Sequence, residues 1–285
     1  MIGYIRSIDK QGGTKVKKVI LLLVAGLFLY MVLPALAVEV TEDATYVIIK
    51  TSGYEAYWNK AAQMGYMQVF VGGSKDSIVG IAGRSFYHSG EYAGNWHDWG
   101  ALQAWKVVDK TGARAIVNFK ANDGGQKDYD VNVTFYDTVP YIKHEVKITN
   151  TGDVVIPSFK SGHSPMFEVN VDIDNMANGT KPFPFTVYWT KTGFFGGLYG
   201  PEAQEAVFME WAPRNPGRMH LVHDSAAKEI KKGESHTITY YVAFGKGGEK
   251  EAVALADKVK EEPSATAVSP VGTISTTWGQ IRSGY

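Results

Sequence analysis

The chain contains no cysteine among its 285 residues. This absence excludes a disulfide framework and a thiolate metal site, so the folded body has to be held together by packing alone. The sequence also lacks an excess of charge of either sign, because 29 Lys and Arg balance 29 Asp and Glu. A chain with balanced charge lacks the excess of positive charge that attracts nucleic acid or an anionic membrane surface, so we expect no nucleic-acid partner.

Helical patterns are scarce after residue 38. Short alternating runs of apolar and polar residues are separated there by clusters of Gly, Asn, Asp and Pro, a pattern typical of antiparallel strands. The segment "GEKEAVALADKVKEEP", residues 248–263, is different because its apolar residues recur at helical spacing. Its predicted apolar face consists of Ala252, Leu255, Ala256 and Val259. These patterns predict an all-β chain of two packed antiparallel sheets, with one C-terminal helix packed on them.

The N-terminal segment is basic and then apolar. Three lysines within residues 15–18 precede the run "VILLLVAGLFLYMVLPALA", which ends in Ala-Leu-Ala, the small-x-small form that signal peptidase accepts. We therefore expect residues 1–37 to be a signal peptide. An uncleaved anchor is the alternative, since the run is close to the length of a membrane span. Both predict a secreted or cell-surface protein that contacts a membrane only through an uncleaved N-terminal segment.

The remaining chain shows no repeat that would divide it. We expect one β domain over residues 38–262, followed by a tail or strap over residues 263–285 that is small and polar apart from Trp278 and Ile281. Two glycosylation sequons begin at Asn132 and Asn178 and predict a glycoprotein if the chain is exported. The oligomeric state is not indicated by any pattern.

The segment "GRSFYHSGEYAGNWHDWGALQAW", residues 83–105, concentrates aromatic and charged side chains between two strand patterns. Aromatic rings offer flat apolar faces to the C–H faces of a sugar, and interleaved His, Asp, Glu and Arg pair with its hydroxyl groups. A carbohydrate ligand is therefore predicted. The candidate substrate-binding residues of this segment are Arg84, His88, Trp96, His97 and Trp99. The alternative is that its tryptophans close the end of the sandwich, with Trp105 the strongest candidate for the core.

Strand alternation separates the histidines into two groups. His144 is in phase with Ile142 and Val146, and His236 is in phase with apolar residues of its own strand, so both are predicted to be core histidines. His163 lies between a glycine and a serine-proline turn, where a rigid backbone would present the imidazole at the mouth of a site. Its alternative is an ordinary surface histidine.

Two further patterns concern acidic side chains. In "FMEWAPRNPGRMH", Glu210 follows an apolar strand pattern and precedes an arginine-bearing loop, so it is either a base over a ligand or an edge glutamate paired with Arg214 or Arg218. "VDIDNMANGT" contains Asp172 and Asp174 but lacks the glycine and distal glutamate of a calcium loop, which predicts a solvated turn. We therefore expect no metal and no cofactor.

The segment "TVPYIKHEVKITNTGDVVIPSFKSGHSPMFEV", followed by "FMEWAPRNPG", resembles the galactose-mutarotase-like (aldose epimerase-like) β-supersandwich family over most of residues 44–262. The resemblance implies a two-sheet antiparallel supersandwich. It also implies that His163 is a general acid and Glu210 a general base, with His88 or His97 as an additional histidine. Trp211 and Arg214, which lie close to Glu210 in the sequence, are further candidate substrate-binding residues. The residues before and after His163 and the residue at position 212 depart from the family motifs, and similar domains without catalysis accompany glycoside hydrolases and lyases.

Three functions are consistent with these patterns. The first is a secreted carbohydrate-binding supersandwich that holds a sugar on its aromatic-rich loop and concave sheet face. The second is an aldose epimerase-like or other carbohydrate-active enzyme that uses the His163–Glu210 pair, in which a base takes the proton of the C1 hydroxyl and an acid protonates the ring oxygen. The third is a structural subunit of the cell envelope or of a filament.

Overall fold

Antiparallel strands form most of the regular structure. The computed structural model describes residues 38–79, 86–156, 164–168, 173–211, 215–223 and 229–261. In chain order its strands are β1 (Glu39–Glu42), β2 (Tyr46–Lys50), β3 (Tyr54–Asn59), β4 (Gly65–Val71), β5 (Phe86–Tyr92), β6 (Asn95–Asp98), β7 (Leu102–Thr111), β8 (Arg114–Asn122), β9 (Lys127–Tyr136), β10 (Tyr141–Asn150), β11 (Ser164–Glu168), β12 (Ile173–Gly179), β13 (Phe185–Thr190), β14 (Phe194–Tyr199), β15 (Glu205–Trp211), β16 (Asn215–Val222) and β17 (Ser235–Lys246). The helix α1 spans Glu249–Lys260.

Hydrogen bonding divides these strands into three antiparallel sheets. Their strand orders are β1-β2-β3-β4, β12-β13-β14-β17-β10-β9-β8-β7 and β15-β16-β11-β5-β6. The predicted all-β class with one C-terminal helix is confirmed, but the described strands form three sheets where the alternation predicted two. The reason is that alternation identifies a strand without identifying its partner, and β5 and β6 lie in a segment that was predicted as a loop.

The central strand β17 is buried on both faces. Ile238, Tyr240 and Val242 point into the core shared by the three sheets, whereas Tyr241 and Ala243 belong to a second apolar cluster that includes α1. β17 pairs with β10 on one side and with β14 on the other. A strand with this composition on both faces is stable only inside a sheet that is covered on both sides.

Aromatic rings from all three sheets meet in the main core. Trp58 of β3 stacks on Phe119 of β8, with ring centroids 4.2 Å apart and an interplanar angle of 6°. Tyr66 of β4 lies 5.3 Å from Phe86 of β5, centroid to centroid. Burial of each such ring contributes about 2 kcal/mol or more. In a chain without disulfides, these contacts join the sheets into one body.

The helix α1 covers the other face of the large sheet, as predicted. Its buried residues are the four that the sequence pattern assigned to the apolar face, Ala252, Leu255, Ala256 and Val259. Tyr199 of β14 donates a hydrogen bond from its hydroxyl to the Ala252 carbonyl at 2.6 Å. Acidic residues in the first turn and lysines in the last turn complement the helix dipole.

The predicted turn at residues 172–175 is in part a strand. Asp174 and Asn175 belong to β12, which pairs with β13 and contains a register irregularity between Ile173 and Asn175. Polar side chains are tolerated here because β12 is the last strand of the described sheet, with Asp174 and Asn175 exposed. Asp172 lies outside the described residues.

The two predicted terminal segments, residues 1–37 and 263–285, also lie outside the described residues. Within the part of the chain that is described, no helix combines the length and the apolar character that a membrane crossing requires. The predictions of a signal peptide, an anchor and a strap therefore stay predictions.

Candidate functional site

The central part of the aromatic segment is a β-hairpin. β5 and β6 pair up to Tyr92 and Asn95. The two turn residues, Ala93 and Gly94, have φ angles of 51° and 73°. Two consecutive residues with positive φ are characteristic of a type I′ turn, which matches the twist of the strands that it joins. The turn therefore fixes the register of the hairpin and the position of each side chain along β6.

A tyrosine and a histidine stack on this hairpin. The rings of Tyr92 and His97 lie 3.9 Å apart, centroid to centroid, with an interplanar angle of 18°. The Nδ1 atom of His97 is 3.8 Å from Oδ2 of Asp123, whose side chain is fully buried, whereas 21% of the His97 side chain is exposed. The imidazole thus has one face on the tyrosine, a carboxylate near its edge and a buried Nε2 atom, and about a fifth of the side chain is accessible to solvent.

Asp123, in the turn between β8 and β9, anchors the hairpin. Its Oδ2 atom accepts a hydrogen bond from the Tyr92 hydroxyl at 2.8 Å. Its Oδ1 atom accepts from the amides of Gly125 at 2.8 Å and Lys127 at 3.1 Å. The Tyr92 hydroxyl in turn accepts from the Gln126 amide at 2.9 Å. One carboxylate therefore connects two hairpins that are separated in the sequence.

Gly125 is required for this arrangement. A Cβ atom at this position would overlap the Tyr92 hydroxyl and approach the Nδ1 atom of His97. Because a side chain there would push the tyrosine away from Asp123, the close approach of the two hairpins depends on glycine.

A buried lysine lies beneath the stacked rings. The Lys127 side chain is fully buried, and its Nζ atom is 3.8 Å from Oδ2 of Asp123. Nζ lies 5.0 Å from the ring centroid of Tyr92 and 5.8 Å from that of Tyr129, and it has no hydrogen-bond partner among the described residues. Burial lowers the pKa of Lys127 to about 8, against the opposing effect of Asp123 and then Asp98. The site therefore contains a cation that is held by rings and one carboxylate.

The structure corrects the predicted roles of His88 and Trp99. Their exposures are 0% and 1%, and the two rings stack with centroids 5.3 Å apart. Trp99 also packs against Trp58, at a centroid distance of 5.8 Å. Side chains this deeply buried do not reach a ligand on the surface, so both belong to the core.

Trp105, by contrast, is only partly buried. Its Nε1 atom donates a hydrogen bond to Oε2 of Glu42 at 3.1 Å. This bond and the Lys60 ammonium lower the pKa of Glu42, the contribution of Lys60 being the larger. The prediction that Trp105 would be the core tryptophan of the segment was wrong, because Trp99 takes that position.

Several predicted site residues are described only in part or not at all. For Trp96, Glu210 and Trp211 the structure describes the strand position, on β6 or β15, and not the side chain. Arg84, His163 and Arg214 lie outside the described residues. The roles assigned to these six residues stay predictions.

The strand register relates Ser164, the residue after His163, to Glu210. β11 begins at Ser164, and its pairing with β16, extended by two residues, aligns Ser164 with Val222, which pairs with Glu205 of β15. Glu210 lies five residues further along β15. At about 3.3 Å per residue this is roughly 17 Å along the strand. Ser164 and the backbone of Glu210 are thus offset along their strands.

The predicted core histidine on β10 is confirmed. His144 is fully buried, its Nε2 atom lies 3.0 Å from the Tyr66 hydroxyl and its Nδ1 atom lies 3.3 Å from the Ile142 carbonyl. Burial lowers its pKa to about 3, so the ring is neutral at physiological pH. His236, which was predicted in the same class, is only half-buried at the start of β17.

Sequence reasoning missed Asp123 and Lys127 as site residues. The segment "KANDGGQKD" was interpreted only as a hairpin turn, which it is, since β8 ends at Asn122 and β9 begins at Lys127. A lysine in phase with Tyr129 and Val131 on a strand face that is otherwise apolar was the available signal. Among the residues that the structure describes, no group of three His, Cys, Asp or Glu side chains could hold a metal.

Comparison with solved structures identifies the fold. The chain aligns with the GH36 alpha-galactosidase AgaB from Geobacillus stearothermophilus at a TM-score of 0.50 and 9% identity, over 74% of this chain and 41% of that one. The chain therefore spans less than half of the length of that enzyme. Identity this low establishes a shared fold and nothing about activity.

Two other solved structures align with lower TM-scores. A "Putative aldose 1-epimerase" from Escherichia coli K12 aligns at a TM-score of 0.44 and 10% identity, over 73% of this chain and 100% of that chain. YidC from Thermotoga maritima aligns at 0.41 and 11%, over 74% and 51%. The all-β fold that the resemblance implied agrees with the alignment to the alpha-galactosidase. No protein-family model matches the sequence, and no curated protein matches it.

Proposed function

We propose that this protein is a carbohydrate-binding β-supersandwich protein that holds a sugar on the exposed surface of the β5–β6 hairpin. The observation that supports this best is the stack of His97 on Tyr92 beside Asp123. A partly exposed ring offers a flat face to the C–H groups of a sugar, and the exposed Asn95 on the same hairpin offers polar groups to its hydroxyls.

The surroundings of His97 strengthen the proposal. Asp98, the next residue on β6, is half-buried and accepts a hydrogen bond on Oδ2 from the Gln63 side chain at 2.7 Å. Asn95 is exposed at the tip of the hairpin. Because the buried Asp123 and the half-buried Asp98 hold the hairpin in place, the exposed residues on it are positioned before a ligand arrives, which limits the entropy lost on binding.

The fold agrees with a carbohydrate-related role. The solved structure with a TM-score of 0.50 is an alpha-galactosidase, and the chain covers 41% of it. A chain that corresponds to less than half of such an enzyme could bind the sugar while other proteins or domains process it. The supersandwich fold alone does not establish sugar binding, so the proposal rests on the exposed surface of the β5–β6 hairpin.

The enzymatic alternative requires His163 and Glu210 to face each other across one sugar ring. An acid and a base on one pyranose would be roughly 6 to 8 Å apart. His163 lies outside the described residues and Glu210 is described only by its position on β15, so an activity measurement has to separate the two functions.

The test is a glycan array with wild type and His97→Ala, followed by titration of the best sugar. Removal of the ring should weaken binding at least fivefold, which corresponds to about 1 kcal/mol. His236→Ala is the matched control, because it removes a half-buried histidine from the large sheet. Equal affinity of His97→Ala and wild type would show that this hairpin is not the sugar-binding surface.

Polarimetry separates binding from catalysis. A binding protein shows no mutarotation of D-glucose or D-galactose above the uncatalysed rate. A wild-type rate that is lost in Glu210→Gln would instead establish the enzymatic alternative.

We also propose that the protein acts outside the cytoplasm, as the apolar segment within residues 1–37 suggests. Edman sequencing of exported protein that begins near Val38 would support cleavage. Retention of the intact chain in the cytoplasm would refute export.

A further inference from the structure

A cleft with both polar and apolar lining lies where four chain segments end near one another. It is formed by the turn between β2 and β3, the end of β4, the connection between β9 and β10, and the end of β17, and it has a volume of about 360 Å³. Its polar lining includes Tyr54, Asp137 and Lys246, and its apolar lining includes Val71 and Phe244. None of the residues that line it belongs to the β5–β6 hairpin.

Asp137 is fixed at one oxygen and unpartnered at the other. Its Oδ1 atom accepts a hydrogen bond from the Ser52 amide at 2.6 Å, and the Ser52 hydroxyl donates to the Asp137 carbonyl at 3.0 Å. Oδ2 has no hydrogen-bond partner among the described residues, although the residue is only 7% exposed. A buried acceptor without a donor costs stability, so the second oxygen marks a place where a donor is expected.

Tyr54 presents a second unpartnered group. The residue is 3% exposed, its ring packs edge-on against Phe244 at 6.3 Å between centroids, and its hydroxyl has no hydrogen-bond partner among the described residues. Burial and then the charge of Asp137 raise the pKa of this hydroxyl. It therefore stays protonated and is able to donate, while Asp137 is able to accept.

The side chains at the rim and the volume of the cleft indicate which ligands it could hold. Lys246 adds a cation beside Gly72, whose missing Cβ leaves room for the lysine stem. Valine and phenylalanine side chains provide apolar wall next to these polar groups. The volume is near the lower end of the roughly 300–1,000 Å³ of small-molecule sites, which suits one sugar ring better than an oligosaccharide.

We propose that this cleft is a second binding site, which takes a single neutral sugar ring with hydroxyl groups hydrogen-bonded to Asp137 and Tyr54. The ligand class rests on the proposed carbohydrate function, whereas the site itself is independent of the hairpin surface. A ligand hydroxyl that donates to Oδ2 of Asp137 and another that accepts from Tyr54 would satisfy both buried groups. The apolar wall would contact the C–H groups of the ring.

The experiment is a titration of protein carrying ¹³C-labelled tyrosine with D-glucose, D-galactose and D-mannose. The Tyr54 ring signal, assigned from its absence in Tyr54→Phe, should shift with at least one sugar. Asp137→Asn should weaken that sugar roughly tenfold, as expected for loss of a hydrogen bond to a charged group. The substitution keeps Oδ1 for the Ser52 amide, so the fold is retained, which thermal unfolding will verify.

Two variants complete the design. Asp153→Asn alters an exposed aspartate with 89% side-chain exposure and should leave the affinity unchanged. His97→Ala should also leave the Tyr54 titration unchanged, even if it abolishes binding on the hairpin. The absence of any Tyr54 shift, equal affinity in Asp137→Asn and wild type, or loss of the Tyr54 shift in His97→Ala would each overturn the proposal. If the hairpin function fails while the Tyr54 titration persists, the cleft stands by itself.

Discussion

Replacement of Lys127 by methionine tests whether burial lowers the pKa of this ammonium group in the folded protein. Burial lowers the pKa of its ammonium from 10.5 to about 8. The unfolded chain therefore binds this proton up to about pH 10.5, whereas the folded chain releases it near pH 8. Because the unfolded state binds more protons between these values, the free energy of unfolding rises with pH in that window.

The magnitude follows from the difference between the two pKa values. Over the whole window the free energy of unfolding of wild type rises by roughly 3 kcal/mol through this lysine. Roughly 2 kcal/mol of that rise is reached by about pH 9.5. Lys127→Met removes this contribution and fills the same space with an apolar chain. Asp123 loses a cation but keeps its hydrogen bonds from Tyr92 and from the backbone amides. We expect the variant to be at least as stable as wild type at about pH 7.

The assay is urea unfolding followed by tryptophan fluorescence, from about pH 7 to about pH 9.5. The stability of Lys127→Met relative to wild type should fall by roughly 2 kcal/mol over this range. Lys120→Met is the control, because that side chain is 52% exposed on the adjacent strand, and it should follow wild type. If the free energies of unfolding of Lys127→Met and wild type change in parallel with pH, the lysine does not lose its proton in this window. The lowered pKa of Lys127 would then be refuted.

Two further predictions concern packing. Trp99→Ala should lower the free energy of unfolding by about 3–5 kcal/mol in urea denaturation, and Trp105→Ala by clearly less, because only Trp99 is fully buried; equal losses would contradict the core assignment. Gly125→Ala should displace the Tyr92 hydroxyl and accelerate amide exchange in the β5–β6 hairpin. Gly124→Ala is the control, because a Cβ atom there meets no atom within 4 Å. Since Gly124 has a φ of +72°, this control should lower stability without the local effect on exchange. Unchanged exchange in Gly125→Ala would refute the role of the close approach.

Local patterns predicted the elements that are stabilised by one periodic face. The four buried residues of α1 follow from helical spacing alone, since a helix needs one apolar stripe to dock. His144 follows from alternation along β10 in the same way. In both cases the decisive information lies within one stretch of about ten residues, and no knowledge of the partner strand is needed.

Sheet pairing and the anchoring of the hairpin could not be predicted in this way. Tyr92 and Asp123 are joined by a hydrogen bond across two hairpins, and neither residue carries a local signal for the other. The role of Gly125 is visible only once the Tyr92 hydroxyl is beside it. Contacts of this kind depend on which loops the topology brings together, so they enter the candidate site from the structure alone.

The two histidines of the hairpin show why burial in such a segment is decided by topology. His88 lies on β5, which has β11 on one side and β6 on the other, and its ring is covered by Trp99, Tyr129 and Tyr240. His97 lies on β6, the last strand of the described sheet, where its ring stacks on Tyr92 and 21% of its side chain is exposed. Alternation assigns each ring to a side of its strand but does not say whether another layer covers that side. The choice of His97 over His88 as the sugar-contacting histidine therefore follows from strand order, and it would reverse if a further strand added to the β6 edge.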